Sequence, residues 1–129
     1  GAIVKTIGDA VMAAFVAPAQ AVAAAMDIQG QIGGFNQASP GRPDVLIKLG
    51  IHAGPTIAVT LNDRLDYFGS TVNMAARLQG QSQGGEIVLS PEIAADPAVE
   101  GVLAGRVLHP DQADLKGFDQ PIRFFRLRP

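Results

Sequence analysis

The 129-residue chain contains no cysteine. Disulfides, thiolate metal sites and cysteine nucleophiles are excluded, although that absence does not fix the compartment. Aromatic residues are scarce at 5%, too few for the stacking platform of an RNA-binding sheet. Excess positive charge is missing as well, since 10 Lys plus Arg against 12 Asp plus Glu leaves a formal charge of −2. A strongly basic nucleic-acid binder is therefore excluded, because no surplus cations exist to neutralise phosphates. No apolar run approaches the ~20 residues of a membrane span, and the first residues lack the basic patch and apolar block of a signal peptide. What is present is an apolar fraction of 47%, enough to fill one core and unlike a disordered chain. The length suits one soluble domain, since domains commonly hold about 100–150 residues. Chemistry in such a chain runs on carboxylates, amides and bases.

Two short apolar runs flank Gly8-Asp9, with Ile3, Val4 and Ile7 before the pair and Val11, Met12 and Phe15 after it. That pattern predicts a hairpin with a tight Gly-Asp turn. Ala17-Pro18 opens an alanine-rich helix in which Ala21, Val22, Ala25, Met26, Ile28 and Ile32 recur at helical spacing as a core-facing stripe. Gly33-Gly34 is expected to end it, and residues 39–43 read as a surface loop. A strand is predicted over residues 45–53 and another over 56–61, with Gly54-Pro55 between them and a polar turn at Asn62-Asp63-Arg64. Residues 70–78 read as a helix facing inward through Val72, Ala75, Ala76 and Leu78. Glu86 to Leu89 is a compact strand, and Ser90-Pro91-Glu92 has the cap and first-turn proline of a helix start. Residues 106–108 and 122–127 close the chain as a strand pair. The fold class is α+β, with helices on a mixed or antiparallel sheet.

Four segments carry polar residues that packing alone does not explain. Lys5 and Asp9 belong to the first hairpin. In the stretch 66–77, Asn73 and Arg77 stand four apart on a predicted helix and so share one face. An amide and a guanidinium converging there suit a phosphate or a ribose. In Gly50-Ile51-His52-Ala53-Gly54 the glycines permit close backbone approach, and His52, ending a strand, reads as packed rather than catalytic. Lys116 sits in a loop between strands.

Taken together, these segments resemble the class III adenylate/guanylate cyclase catalytic domain. The similarity runs in the family's order through VKTIGDAVMAAF, IKLGIHAG, LDYFGSTVNMAARL, GGEIVLS and DLKGFDQPIRFFRL, and it covers nearly the whole chain. The resemblance implies a ferredoxin-like nucleotidyl cyclase fold that converts ATP to 3′,5′-cyclic AMP and pyrophosphate. It also implies two Mg2+ or Mn2+ ions, with Asp9 as one metal ligand. Lys5 and Asp66 match the pair that reads the purine. Lysine donates to the adenine ring nitrogen and aspartate accepts from the exocyclic amine, a pattern that favours ATP over GTP. Asn73 matches the ribose-orienting asparagine, Arg77 the arginine at the reacting α-phosphate, and Lys116 the lysine on the terminal phosphates. Because the family builds each site from two subunits, a homodimer is implied, in the cytoplasm, with no nucleic acid and no membrane contact by this segment.

The family's first strand, which carries the second metal aspartate, has no counterpart in residues 1–129. The resemblance therefore implies a partial catalytic domain, inactive by itself. Alternative readings are a guanylate cyclase and a nucleotide-binding regulatory pseudocyclase that keeps the fold without the chemistry. A ferredoxin-like RNA-binding module fits the charge and aromatic content poorly. A diguanylate cyclase fits poorly as well, since Gly84-Gly85-Glu86 lacks the rest of that signature.

Overall fold

The computed structural model describes residues 2–7, 10–54, 57–61, 64–68, 70–115 and 118–128. The expected turns at Gly8-Asp9 and Asn62-Asp63, the break at Pro55 and the loop residue Lys116 lie outside them. In chain order the elements are β1 (Ala2–Ile7), β2 (Ala10–Ala14), α1 (Pro18–Ala38), β3 (Leu49–Ile51), β4 (Ile57–Leu61), β5 (Arg64–Phe68) and α2 (Ser70–Gln81), followed by β6 (Ile87–Leu89), α3 (Pro91–Ala94), α4 (Pro97–Leu103), β7 (His109–Ala113) and β8 (Ile122–Leu127).

The central sheet has the order β3-β6-β8-β7. It is mixed: β3 and β6 run parallel, whereas β6 with β8 and β7 with β8 are antiparallel. The strand β6 lies inside it with all three residues buried, and their alternation divides the core in two. Ile87 and Leu89 meet Val22 and Ala25 of α1, Ile93 of α3, and Val99 and Leu103 of α4, together with Leu127. Val88 turns the other way, toward Leu78 of α2, Leu115 and Phe124. Helices thus cover both faces of the sheet. Two antiparallel ribbons accompany it, β1 with β2 and β4 with β5. In the first, one extra residue between Ile3 and Lys5 breaks the register, so that Ile3 faces Ala13 and Lys5 faces Met12.

Several boundaries differ from the sequence reading, each for a physical reason. The helix α1 continues through Gly33-Gly34 to Ala38. A helical glycine costs only about 1 kcal/mol against alanine, whereas Pro40 bars the preceding Ser39 from helical angles, and Ser39 has left them at φ −124°, ψ 61°. The buried stripe is narrower than expected, since Ile28 is 42% exposed. The strand predicted over 45–53 shrinks to Leu49–Ile51, the length of its partner β6. Upstream, the Asn36 side chain occupies both backbone groups of Val45: Nδ2 donates to its carbonyl at 2.9 Å, and Oδ1 accepts from its N–H at 2.8 Å. Val45 therefore has nothing left for a ladder, and Leu46 beside it is 66% exposed.

Arg64 opens β5 rather than lying in a turn; the alternation of Arg64, Leu65, Asp66 and Tyr67 is the strand signal. The helix α2 extends to Gln81, with Ala76 exposed and Met74 packed on the core in its place. The strand expected at 106–108 lies instead at His109–Ala113, where pairing with β8 fixes it. This polar strand is the sheet edge, a position that tolerates Pro110. The short helix α3 starts where Ser90-Pro91 suggested, though the Ser90 side chain makes no capping bond. The unanticipated α4 is capped by Asp96, whose Oδ1 accepts from Ala98 N–H at 2.8 Å and Val99 N–H at 3.4 Å. Among the described residues, no helix is long and apolar enough to cross a membrane.

Candidate active site

The helix α2 is the element on which the candidate site is built. Met74 and Leu78 are four apart and point into the core, Leu78 without any exposed surface. Asn73 and Arg77 precede them by one residue each and are exposed, so the 3.6-residue period turns them together onto an adjoining face. The amphipathic pattern that docks the helix therefore also presents its amide and guanidinium side by side.

The docking is unusually close because of the two glycines after Ile47. A Cβ on Gly50 would stand 2.3 Å from the backbone nitrogen of Gln79 and 2.8 Å from the carbonyl oxygen of Ala75. A Cβ on Gly54 would stand 2.7 Å from Thr71 Oγ1. Helix backbone thus lies directly on β3 at Gly50, whereas the neighbour of Gly54 is the Thr71 side chain.

Asp66 lies in β5, opposite Val59, four residues before Ser70 opens α2. Lys5 lies in β1, and β1 approaches β5 to within 8 Å between Cα atoms. The strands bearing Lys5 and Asp66 are therefore neighbours, and the second leads into the helix bearing Asn73 and Arg77. The side chains of Lys5 and Asp66 lie outside the described part of the chain, as do Asp9 and Lys116 altogether. A carboxylate such as Asp9 is a hard oxygen donor of the type that Mg2+ or Mn2+ takes. Among the described residues, no three histidine or carboxylate groups converge as a cation cage.

His52 follows β3 and lines a cavity with Met74 and Leu78 of α2. Its side chain is 15% exposed, with Nδ1 at 3.7 Å from Glu92 Oε2. Burial lowers its pKa below the usual 6.5, and the Glu92 carboxylate only partly opposes that shift. His52 Nδ1 and Ser90 Oγ are both buried without a hydrogen-bond partner among the described residues. With Met74, Leu78 and Glu92 they border an open cavity of about 220 Å³. The largely buried imidazole is held toward its neutral form by that burial.

The sequence reading passed over Glu86 and Arg126. Glu86 is 4% exposed and Arg126 is 6% exposed. Arg126 Nη1 donates to Glu86 Oε1 and also to the Gln81 carbonyl at 2.8 Å, while Nε donates to Asp111 Oδ2 at 2.9 Å. Burial opposes the charge of Arg126, but the Asp111 and Glu86 carboxylates outweigh it and raise the guanidinium pKa above its usual value. The Arg126 hydrogen bond and the Gln112 N–H hold Asp111 below the ordinary carboxylate range. Glu86 and Arg126 are 40 residues apart, so no local pattern in the sequence marks the pair.

Comparison with known proteins adds to this geometry. Residues 2–124 match the family model of the adenylate and guanylate cyclase catalytic domain. The Mycobacterium tuberculosis uncharacterized protein Rv2212 is 34% identical over 127 residues, which is 98% of this chain and 30% of that protein. The chain thus spans about a third of the length of the curated relatives it first matches. The structure of an adenylate/guanylate cyclase/hydrolase from Silicibacter pomeroyi superposes with a TM-score of 0.79 at 27% identity, covering 98% of this chain and 72% of that one. The guanylate cyclase domain of RhGC from Catenaria anguillulae, solved in complex with GTP, gives 0.70 at 28% identity, covering 97% and 70%. The chain, a mixed sheet faced by helices, belongs to the adenylate and guanylate cyclase catalytic-domain family.

Proposed function

We propose that the protein containing this chain is an adenylate cyclase. In the reaction the ribose 3′-oxygen bonds to the α-phosphorus, the bond from that phosphorus to the α–β bridging oxygen breaks, and pyrophosphate leaves. The 3′-hydroxyl proton is released. The observation that carries this reading is α2: Asn73 and Arg77 are exposed together on a helix seated on backbone and entered from the strand of Asp66. Arg77 neutralises charge developing on the α-phosphate, a preorganised electrostatic contribution of several kcal/mol. Asn73 orients the ribose through an amide that can both donate and accept. Lys5 and Asp66 read the adenine, and Lys116 holds the terminal phosphates.

Divalent Mg2+ or Mn2+, with Asp9 as one ligand, supplies nucleophile activation and charge neutralisation when bound. The chain spans about a third of the length of its first curated relatives, and activity is assigned to the whole protein that contains it. Each site draws on two copies of the domain, in a cytoplasmic homodimer. The guanylate alternative is supported by likeness to guanylate cyclases, among them the GTP-bound Catenaria anguillulae domain.

The test is turnover of ATP and of GTP by the full-length protein with manganese, read as cyclic nucleotide formed. Preference for ATP is expected. A clear preference for GTP would overturn the roles of Lys5 and Asp66, and no turnover of either would favour the regulatory pseudocyclase.

A further inference from the structure

Arg126 reaches the end of the helix that bears Asn73 and Arg77. Gln81 is the last residue of α2, and a terminal helix carbonyl has no intrahelical donor. Arg126 Nη1 supplies that donor at 2.8 Å. The contact also sets a cation at the negative end of the helix dipole. Glu86 holds the guanidinium from the side through the same Nη1, and Glu86 Oε1 further accepts from Gln83 N–H at 2.9 Å in the turn that follows α2. Asp111 on β7 fixes Nε, and the Phe124 ring lies 5.2 Å from the guanidinium carbon. The guanidinium is thus clamped by Asp111 on β7 and by Glu86 just before β6, and it bonds to one helix end. Arg77 lies four residues before Gln81, about 6 Å along the helix.

A buried ion pair is weak support for stability, since desolvation offsets much of its attraction and apolar residues of similar volume often serve as well. What the pair does that apolar side chains cannot do is fix a backbone carbonyl at hydrogen-bond distance. Gly50 sets the depth of α2 at Ala75 and Gln79, Met74 and Leu78 turn it toward the core, and Arg126 adds a fixed point at its C-terminal end. We infer that Arg126, steadied by Glu86, is a positioning residue for the cyclase reaction: it fixes the C-terminal end of α2 and thereby where Asn73 and Arg77 project. The inference rests on the adenylate cyclase reading above.

The decisive variant in the full-length protein is the pair Glu86→Leu with Arg126→Leu, which removes the clamp without leaving a lone buried charge. The expected result is a thermal midpoint close to that of the unaltered protein and faster hydrogen exchange at the last turn of α2. Turnover should fall about tenfold to a hundredfold, as displacement of a positioned group by about 1 Å can produce, while KM changes by less than about threefold. Unchanged exchange at residues 77–81, or turnover within about twofold of the unaltered protein, would overturn the inference. So would a loss of turnover matched by uniform loss of protection in α1, α4 and α2 alike. If the pair variant does not fold, Arg126→Lys carries the same readouts, because a single ammonium cannot serve Asp111 and Gln81 together as the planar fork does. If the unaltered protein makes no cyclic nucleotide, the proposed function fails by itself, and exchange at α2 alone then decides whether Arg126 holds the helix.

Discussion

Gly50 and Gln79 are in backbone contact: a methyl group on Gly50 would lie 2.3 Å from the Gln79 nitrogen and 2.7 Å from its Cα. No side-chain rotation relieves that clash, because both obstructing atoms belong to the helix main chain. The distance between α2 and β3 is therefore set by the absence of one carbon atom.

Gly50→Ala is expected to push α2 away from the sheet. Overpacking of this kind costs typically about 1–3 kcal/mol, so the denaturation midpoint in urea should fall. Turnover should fall further than stability alone explains, because Arg77 lies between the two residues that the new methyl group strikes, Ala75 and Gln79. Near-normal turnover in a folded Gly50→Ala protein would mean that the seating of α2 does not matter to the chemistry.

The depressed pKa of His52 makes stability depend on pH. The unfolded chain protonates this imidazole near pH 6.5, whereas burial keeps the folded one neutral to lower pH. The unfolded state consequently binds more protons in that interval, and stability is complete above pH 6.5 and declines as pH falls toward the folded pKa. Thermal melts from pH 7.5 down to pH 5 should show that decline, and His52→Gln should remove part of it. Glu92→Gln should depress the His52 titration further, since Glu92 is the group that raises it. A His52 titration at or above pH 6.5 by NMR would contradict the buried, neutral imidazole.

A site shared between two subunits allows two inactive proteins to rescue each other. Asp9→Ala should abolish metal-dependent turnover, and Arg77→Ala should lower it strongly. If each site takes Asp9 from one copy and Arg77 from the other, a mixed dimer has one site lacking both groups and one intact site. Random exchange makes half the dimers mixed, so activity should recover to about a quarter of the unaltered level. Exchange verified with differently tagged chains, but without recovery, would mean that one copy supplies both residues.

The legible parts of the chain were those in which local chemistry and tertiary contact agree. The α2 pattern, the Gly50 and Gly54 pair and the compact β6 all combine a periodic or glycine signal with a partner that demands it. Val45 and Leu46 show the opposite case. Their β-branched and apolar character predicts strand, but Asn36, nine residues earlier, takes the backbone groups of Val45. The edge strand β7 was misplaced because His109, Pro110, Asp111 and Gln112 carry no apolar alternation, and only pairing with β8 fixes their position. Glu86 and Arg126 stand 40 residues apart, and no local pattern marks two charges that meet only after the sheet has formed. In the candidate site, helical spacing was sufficient for Asn73 and Arg77. The neighbouring of the Lys5 and Asp66 strands emerged only with the fold.

Turnover and nucleotide binding by Arg77→Ala, measured together in the full-length protein, test the central claim most directly. A group that acts mainly on charge developing at the α-phosphate lowers the rate far more than ground-state binding. Cyclic AMP formation should drop at least about a hundredfold, with much less change in the affinity for a nonreactive ATP analogue, and Asn73→Ala should drop comparably in rate. Near-normal cyclic AMP formation by Arg77→Ala would contradict the assignment of α2 as the helix that serves the reacting phosphate.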